Sequence, residues 1–163
     1  MRTHARVESP IGPITLVAED GVLAGCYMDV QRHRPAPDVF GHEDPDGFAE
    51  PARQLAEYFA GVRTEFDLEL RMTGTGFQRR VWAALREIPY GETESYGELA
   101  QRIGDPGASR AVGLANGKNP VGIIVPCHRV IGANGSLTGY GGGLPRKQFL
   151  LDLEARVSGR TLI

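Results

Sequence analysis

Apolar and polar positions along the chain fall into short blocks whose spacing names individual elements. Ala5 to Glu8, Ile14 to Ala18 and Val22 to Met28 are brief apolar-rich runs separated by Ser9-Pro10-Ile11-Gly12-Pro13 and Glu19-Asp20-Gly21, a pattern that predicts a β meander. Residues 31–47 are rich in Pro and Asp, show no apolar period and read as a loop. Phe48 to Ala60 sets Leu55, Tyr58 and Phe59 on one side with Gly61 as its stop, which predicts a helix. Phe66-Asp67-Leu68-Glu69-Leu70 alternates strictly, as a half-buried strand closing the sheet would. Thr73-Gly74-Thr75-Gly76 then divides residues 1–74 from residues 75–163.

Beyond that junction the period becomes helical. Phe77 to Ile88 is a helix capped by Thr75, with Gln78 placed to reach back as in a capping box, and ended by Pro89. Ser95 to Ile103 repeats the device with Glu98, and Gly104 stops it. Asp105 as N-cap and Pro106 at the first helical position predict that the next helix starts at once and runs to about Gly117. Two short helices joined by a tight turn make a helix-turn-helix, whose second member can enter a DNA major groove, or a packed helical hairpin with no ligand. Its second helix is almost free of bulk and carries one long cation, Arg110, so it can approach another backbone closely. Asn134-Gly135 marks a tight turn, and Tyr140 precedes Gly141-Gly142-Gly143. A last helix, from Pro145 to about Arg156, is expected to bury Phe149, Leu150 and Leu153 and to carry Glu154 near its end. The pattern as a whole is α+β, with an antiparallel sheet and a helix first and a helical part second.

Between these helices the apolar run Val121 to Val125 leads into Pro126-Cys127-His128-Arg129-Val130. A cysteine next to a histidine at the end of a buried run is a nucleophile candidate. The imidazole, directly or through one water, can take the thiol proton and leave the thiolate that reacts. A Cys-His pair standing alone is more often a buried thiol beside a hydrogen-bonded imidazole.

Length and composition narrow the class. The 163 residues, 41% of them hydrophobic, suit one ordinary domain or two small ones sharing a core. The longest apolar stretches are far below the roughly 20 residues a membrane crossing requires, and the opening Met1-Arg2-Thr3-His4 leads into mixed polar sequence, so a cytoplasmic protein is expected. Cys26 and Cys127 form no metal-ligand spacing; Cys26 reads as core packing, and His4, His33 and His42 are scattered, so no metal is expected. The net charge of −2 conceals an asymmetry: residues 1–75 hold 7 Lys+Arg against 13 Asp+Glu, and residues 76–163 hold 11 against 7. The second part is the better suited to a polyanion.

Taken together, Arg110-Ala111-Val112-Gly113, Asn119-Pro120, Pro126-Cys127-His128-Arg129-Val130 and Tyr140-Gly141-Gly142-Gly143-Leu144, in this order and spacing, resemble the O6-alkylguanine-DNA alkyltransferases. The resemblance is strong from about Phe77 to Glu154 and weaker before it. It implies a ribonuclease H-like N-terminal part, a winged-helix-like C-terminal part and a one-shot repair reaction. The thiolate of Cys127 takes the alkyl group from O6-alkylguanine, or from O4-alkylthymine, in duplex DNA and keeps it as a thioether, with no cofactor. By the same matching His128 is the base acting through a water, Glu154 orients it, and Asn119 ties the recognition helix to the active-site segment. Tyr96 donates toward guanine N3 and contacts the phosphate behind the target nucleotide. Arg110 fills the gap left by the extruded nucleotide, and Ser109, Ala111, Gly113 and Asn116 share its DNA-contacting surface. Tyr140 walls the base pocket, where the peptide groups of Cys127, Val130, Gly141 and Gly142 read the base edge. The implied partner is double-stranded DNA carrying O6-alkylguanine, bound by a protein that is monomeric in solution, with no membrane; cooperative loading along DNA is left open.

Gly141 departs from members that carry serine there, which leaves the preference for alkyl bulk unsettled, and loop 31–47 follows no family pattern. Rival readings are a non-catalytic module that holds alkylated DNA, an unrelated cysteine hydrolase or thiol transferase, and a regulator switched by methylation. The presence of Cys127 argues against the first. The helix-turn-helix has no purpose in the second, and the third needs a further cysteine-rich segment.

Overall fold

Three antiparallel strands, β1 (Arg2–Val7), β2 (Ile14–Glu19) and β3 (Val22–Met28), are joined by the two turns expected from Ser9–Pro13 and Glu19–Gly21. The computed structural model describes residues 1–31, 34–137 and 139–159, so His33 lies outside the described residues. Loop 31–47 is not featureless. It contributes β4 (His42–Glu43), which pairs parallel with β1 and completes the sheet order β3-β2-β1-β4. Just before it a 3₁₀ turn over Pro37–Phe40 buries Phe40, whose ring stacks on Tyr27 at 5.5 Å and closes a small cluster with Val17 on the outer face of the sheet. The turn into β4 depends on Gly41, whose φ of 79° and contact with the Arg2 carbonyl leave no room for a Cβ.

The alternating segment Phe66 to Leu70 does not close the sheet. Only Leu70 bridges to Leu23 of β3, although Phe66, Leu68 and Leu70 do turn toward the core as the alternation requires. The reason is a competing partner. Gln54, buried on helix α1 (Ala49–Phe59), donates from Nε2 to the Asp67 carbonyl and accepts the Asp67 N–H on Oε1, satisfying that backbone with a side chain instead of a strand.

The helical part is built on local signals. Helix α2 (Gly76–Leu85) and helix α3 (Tyr96–Arg102) both start on complete capping boxes, Thr75 with Gln78 and Ser95 with Glu98, each hydroxyl cap contributing about 1 kcal/mol. Strand β5 (Glu94–Ser95) precedes α3 directly and pairs parallel with β6 (Val130–Ile131). Helix α2 stops three residues before Ile88, which continues as a turn.

Helix α4 covers Ser109–Gly117 and is capped by Ala108 without a side-chain bond, so the expected start at Asp105-Pro106 is wrong. Asp105 instead accepts the Ala108 N–H in a turn of its own, and its own N–H bonds the Ala100 carbonyl, which lengthens the connection between α3 and α4. Trp82 of α2 donates its indole N–H to the Ala115 carbonyl at 2.9 Å and pins α4 in place. Helix α5 (Leu144–Ser158) buries Leu150, Leu153 and Glu154, but Phe149 is 38% exposed rather than core. The inner stripe runs through Lys147, Leu150, Leu151 and Glu154, spaced by three and four residues, and leaves Phe149 beside it.

One core joins both parts. Ile14, Leu16 and Leu23 from the sheet, Leu55 and Tyr58 from α1, and Leu85, Leu99, Val112 and Leu150 from the helices belong to a single buried cluster. Cys26 is inside it, as expected, and its backbone carries the apolar run: the Cys26 N–H donates to the Pro120 carbonyl and its carbonyl accepts the Gly122 N–H. No described helix is long and apolar enough to cross a membrane.

Candidate active site

The segment behind α4 folds back on itself in a series of tight turns. Ile124 N–H bonds the Gly122 carbonyl, Val125 N–H bonds the Val121 carbonyl, and Cys127 N–H bonds the Val125 carbonyl at 2.8 Å. Ile123 is forced to a φ of 71°, a conformation that costs a non-glycine residue roughly 1–2 kcal/mol. Asn119 holds this arrangement together: its Oδ1 accepts the Val121 N–H at 2.9 Å and its Nδ2 donates to the Val125 carbonyl at 2.8 Å. The side chain expected to tie the recognition helix to the active-site segment therefore sits where α4 ends and clamps that segment from inside.

Cys127, His128 and Arg129 form a single 3₁₀ turn, all three buried. His128 Nε2 lies 2.6 Å from Glu154 Oε2, and the same carboxylate accepts from Tyr58 Oη at 2.7 Å, from Arg129 Nε and Nη2 at 2.8 and 3.1 Å, and from the Gly91 N–H at 3.2 Å. Burial alone would push the Glu154 carboxyl up, but His128 and Arg129 together hold it well below the usual carboxylate range. An ionised carboxylate only accepts, so the hydrogen between the two groups belongs to Nε2 of the imidazole. His128 is fully buried, and desolvation outweighs the pull of Glu154 and lowers its pKa below the ordinary value. It is thus a neutral imidazole protonated on Nε2, with the lone pair on Nδ1, and that nitrogen is buried without a partner among the described residues.

Burial raises the Cys127 pKa, against the opposing pull of a hydrogen bond from Asn119 and the charge of Lys147. The thiol is therefore protonated at neutral pH and needs a base to become a nucleophile. A base of the required kind is the unprotonated Nδ1 of His128, the next residue along the chain.

Cys127 lines a cavity of about 220 Å³ together with Tyr96, Asn116, Asn119, Tyr140, Gly141 and Gly142. Gly113 borders it, whereas Ser109, Arg110 and Ala111 lie on the exposed face of α4 outside it. Arg110 is exposed in the first turn of α4 and makes no ion pair or hydrogen bond among the described residues. Val130 does not line the cavity; it is fully buried and its carbonyl accepts from Lys147 Nζ at 2.6 Å. The glycine loop is pressed against the sheet: a Cβ at Gly142 would stand 2.1 Å from Met28 Sδ at the end of β3.

Four site residues escaped sequence reasoning. Tyr58 was visible only as a core aromatic, and Arg129 only as part of a motif. Gln31, bonded through Oε1 to the Met28 N–H, reaches the cavity wall from a loop with no pattern. Lys147 had a usable signal, because it falls on the same helical stripe as Leu150 and Glu154; its burial lowers its pKa to about 8.

Comparison with known proteins bears directly on this geometry. The family model described as 6-O-methylguanine DNA methyltransferase, ribonuclease-like domain, matches residues 3–72, and the corresponding DNA binding domain matches residues 76–156. A methylated-DNA--protein-cysteine methyltransferase of Mycolicibacterium paratuberculosis is 58% identical over 99% of this chain and 98% of its own, and one of Methanosarcina acetivorans is 56% identical over 93% and 97%. Among solved structures, Mycobacterium tuberculosis OGT in complex with DNA superposes with a TM-score of 0.92 at 56% identity, covering 95% of this chain and 94% of that one. The enzyme of Pyrococcus kodakaraensis, 21% identical with a TM-score of 0.56, shares the fold. The chain belongs to the 6-O-methylguanine DNA methyltransferase family.

Proposed function

We propose that this protein reverses O6-alkylation of guanine in duplex DNA by moving the alkyl group once, and irreversibly, to Cys127. The reading rests on one observation above the others: the buried imidazole beside the thiol is held by Glu154 in the tautomer whose free nitrogen is a base. Nδ1 of His128 takes the thiol proton through one water, the thiolate sulfur attacks the alkyl carbon, and the carbon–oxygen bond to the base breaks as the carbon–sulfur bond forms. The departing guanine gains a proton where its charge collects, with the Tyr96 phenol as the donor facing the pocket. Nothing at the site can hydrolyse a thioether, so each molecule reacts once.

Access requires extrusion of the nucleotide, because an O6 carbon inside a stacked pair is out of reach. Helix α4 lies at the mouth of the cavity with Ser109, Arg110 and Ala111 outward, and Arg110 is the side chain long enough to fill the vacated stack. Tyr140, Gly141 and Gly142 form the opposite wall and hold the base. The same chemistry extends to O4-alkylthymine. The working division of labour falls at residues 74 and 75, in a monomeric, cytoplasmic protein whose more basic part carries the DNA surface.

Intact and peptide mass measurement after incubation with a duplex carrying O6-methylguanine tests this reading. One methyl group per chain, on Cys127, with activity ending at one equivalent, is the expected result. Repeated turnover or transfer to Cys26 would contradict it, and a Cys127→Ala variant should bind DNA without reacting.

A further inference from the structure

Tyr58, near the end of α1, is fully buried, and its ring packs edge-on against Phe59 and Tyr90 and tilts against Phe66. A phenylalanine would fill that space with no polar atom to satisfy. The hydroxyl is directed instead at Glu154 Oε2, 2.7 Å away and 96 residues along the chain. Among the described residues it is the one donor to that carboxylate contributed by residues 1–74; the other four bonds come from Gly91, His128 and Arg129.

The two carboxylate oxygens are loaded unequally. Oε1 takes Arg129 Nε and the Gly91 N–H, whereas Oε2 takes the imidazole at 2.6 Å, the phenol at 2.7 Å and Arg129 Nη2 at 3.1 Å. A carboxylate oxygen offers about two lone-pair sites, so three donors crowd Oε2. The phenol draws on the same negative charge that would otherwise favour a second proton on the ring of His128. Burial and the charge of Glu154 push the Tyr58 pKa well above its ordinary value, so the hydroxyl keeps its hydrogen and donates at neutral and acid pH alike.

We infer that Tyr58 is a positioning residue for alkyl transfer: by sharing Glu154 Oε2 with the imidazole, its hydroxyl weakens the carboxylate's hold on a charged ring and keeps His128 neutral, with Nδ1 free for the thiol proton. The inference rests on the repair reading above for the use made of that nitrogen, and it draws residues 1–74 into the chemistry. The other groups facing this pair are Tyr90 between α2 and β5, Cys127 and Arg129 beside His128, and Lys147 on α5. Burial holds the Tyr90 phenol and the Cys127 thiol in their neutral forms, while Arg129 and Lys147 are cations at acid pH. His128 is therefore the member of this set that changes charge first as pH falls below neutrality, ahead of the more strongly depressed Glu154.

Two titrations of the full chain test this. The first follows the ring nitrogens of His128 by NMR in protein labelled with ¹⁵N-histidine, and the second follows the single-turnover rate on a duplex carrying O6-methylguanine. Tyr58→Phe keeps the ring and removes the hydroxyl. It should raise the His128 midpoint, and the acid limb of the rate with it, by between about half and one pH unit, part of the worth of a hydrogen bond to a charged group. Below the native midpoint transfer should then be about three- to tenfold slower, while at pH 8 it should stay within about twofold of native. Tyr90→Phe removes a neighbouring hydroxyl that is buried without a partner among the described residues, and it should leave the midpoint in place. An unmoved or lowered midpoint in Tyr58→Phe, whatever the variant loses in stability, would assign the hydroxyl to packing and overturn the inference. The native protein alone supplies a further check, so poor folding of the variant does not shelter it: the Tyr58 hydroxyl proton should resist exchange and shift as His128 titrates, and a resonance indifferent to that titration would overturn the inference too. Failure of the native protein to alkylate Cys127 on any duplex would instead sink the repair reading, with the NMR titration still deciding what Tyr58 does to His128.

Discussion

Five hydrogen bonds converge on the two oxygens of Glu154, from Tyr58, His128, Arg129 and the Gly91 N–H, and that convergence makes a single carboxylate the hub of a buried polar network. Its folded pKa is depressed, so the stability it contributes is complete above its ordinary value of 4.5 and is lost as pH falls through the folded value. His128, buried and neutral, is also depressed. Below its ordinary 6.5 the unfolded chain binds a proton that the native ring refuses, and stability falls in the same direction. Urea denaturation across pH should therefore show stability declining below about 6.5 and again below about 4.5, and Glu154→Gln should flatten the lower decline. The same variant leaves Arg129 buried without its counter-charge and should cost about 3–5 kcal/mol at neutral pH. Because the base is active when unprotonated, the single-turnover rate of the native protein should hold at pH 6.5 and fail only at lower pH. Cys127 and His128 stood out in the sequence as a motif, and Glu154 through the family resemblance. Tyr58 was not, since a phenol 96 residues from its partner announces nothing but a buried ring.

At the scale of elements, capping decided what the chain wrote most clearly. Both capping boxes formed because their partners are three residues apart and need no tertiary help. The start of α4 was misread because Asp105 and Pro106 are equally good turn residues. In the folded chain the turn closed by Ala108 prevails, with Asp105 N–H drawn to the end of α3. The delayed start leaves Ser109, Arg110 and Ala111 in the first turn of α4, exposed at its leading end. From that position Arg110 should matter for duplex and not for free base. Arg110→Ala is expected to slow transfer from O6-methylguanine in duplex by at least about tenfold, the size of one good base-stack or phosphate contact. Its reaction with free O6-benzylguanine should stay within about twofold. Equal loss on both substrates, read from single-turnover kinetics, would remove the finger role.

Over the whole molecule, the sheet sets the shape of a pocket to which it contributes little chemistry. Arg146 at the start of α5 donates to the Ile11 and Val30 carbonyls and pairs with Asp29, while Met28 closes against Gly142. Enlarging Gly142 should therefore act through Met28. Gly142→Ala should displace the glycine loop by enough to slow transfer by about tenfold or more, since a misplacement near 1 Å can cost a hundredfold. Shortening its neighbour in Gly142→Ala with Met28→Ala should recover part of that rate, measured against Met28→Ala alone. A double variant no faster than Gly142→Ala would show that the loop is limited by something other than the sheet.

The amino-acid order by itself determined the helices that begin on Thr75 and Ser95, the meander of the first three strands and the placing of a thiol next to an imidazole in Cys127-His128. Each of these depends on residues a few positions apart or on a contiguous signature, so near neighbours suffice to specify them. Tertiary structure alone decided that Asp67, within Phe66 to Leu70, pairs with a glutamine side chain instead of a strand, that loop 31–47 supplies β4, and that Tyr58, Arg129 and Lys147 surround the site. It also left Asn116 Oδ1 without a donor among the described residues. These outcomes turn on which distant groups reach a backbone or a charge first, and on which of them burial then deprives of water. Closing loops of tens of residues selects among those partners, and no local pattern encodes the choice.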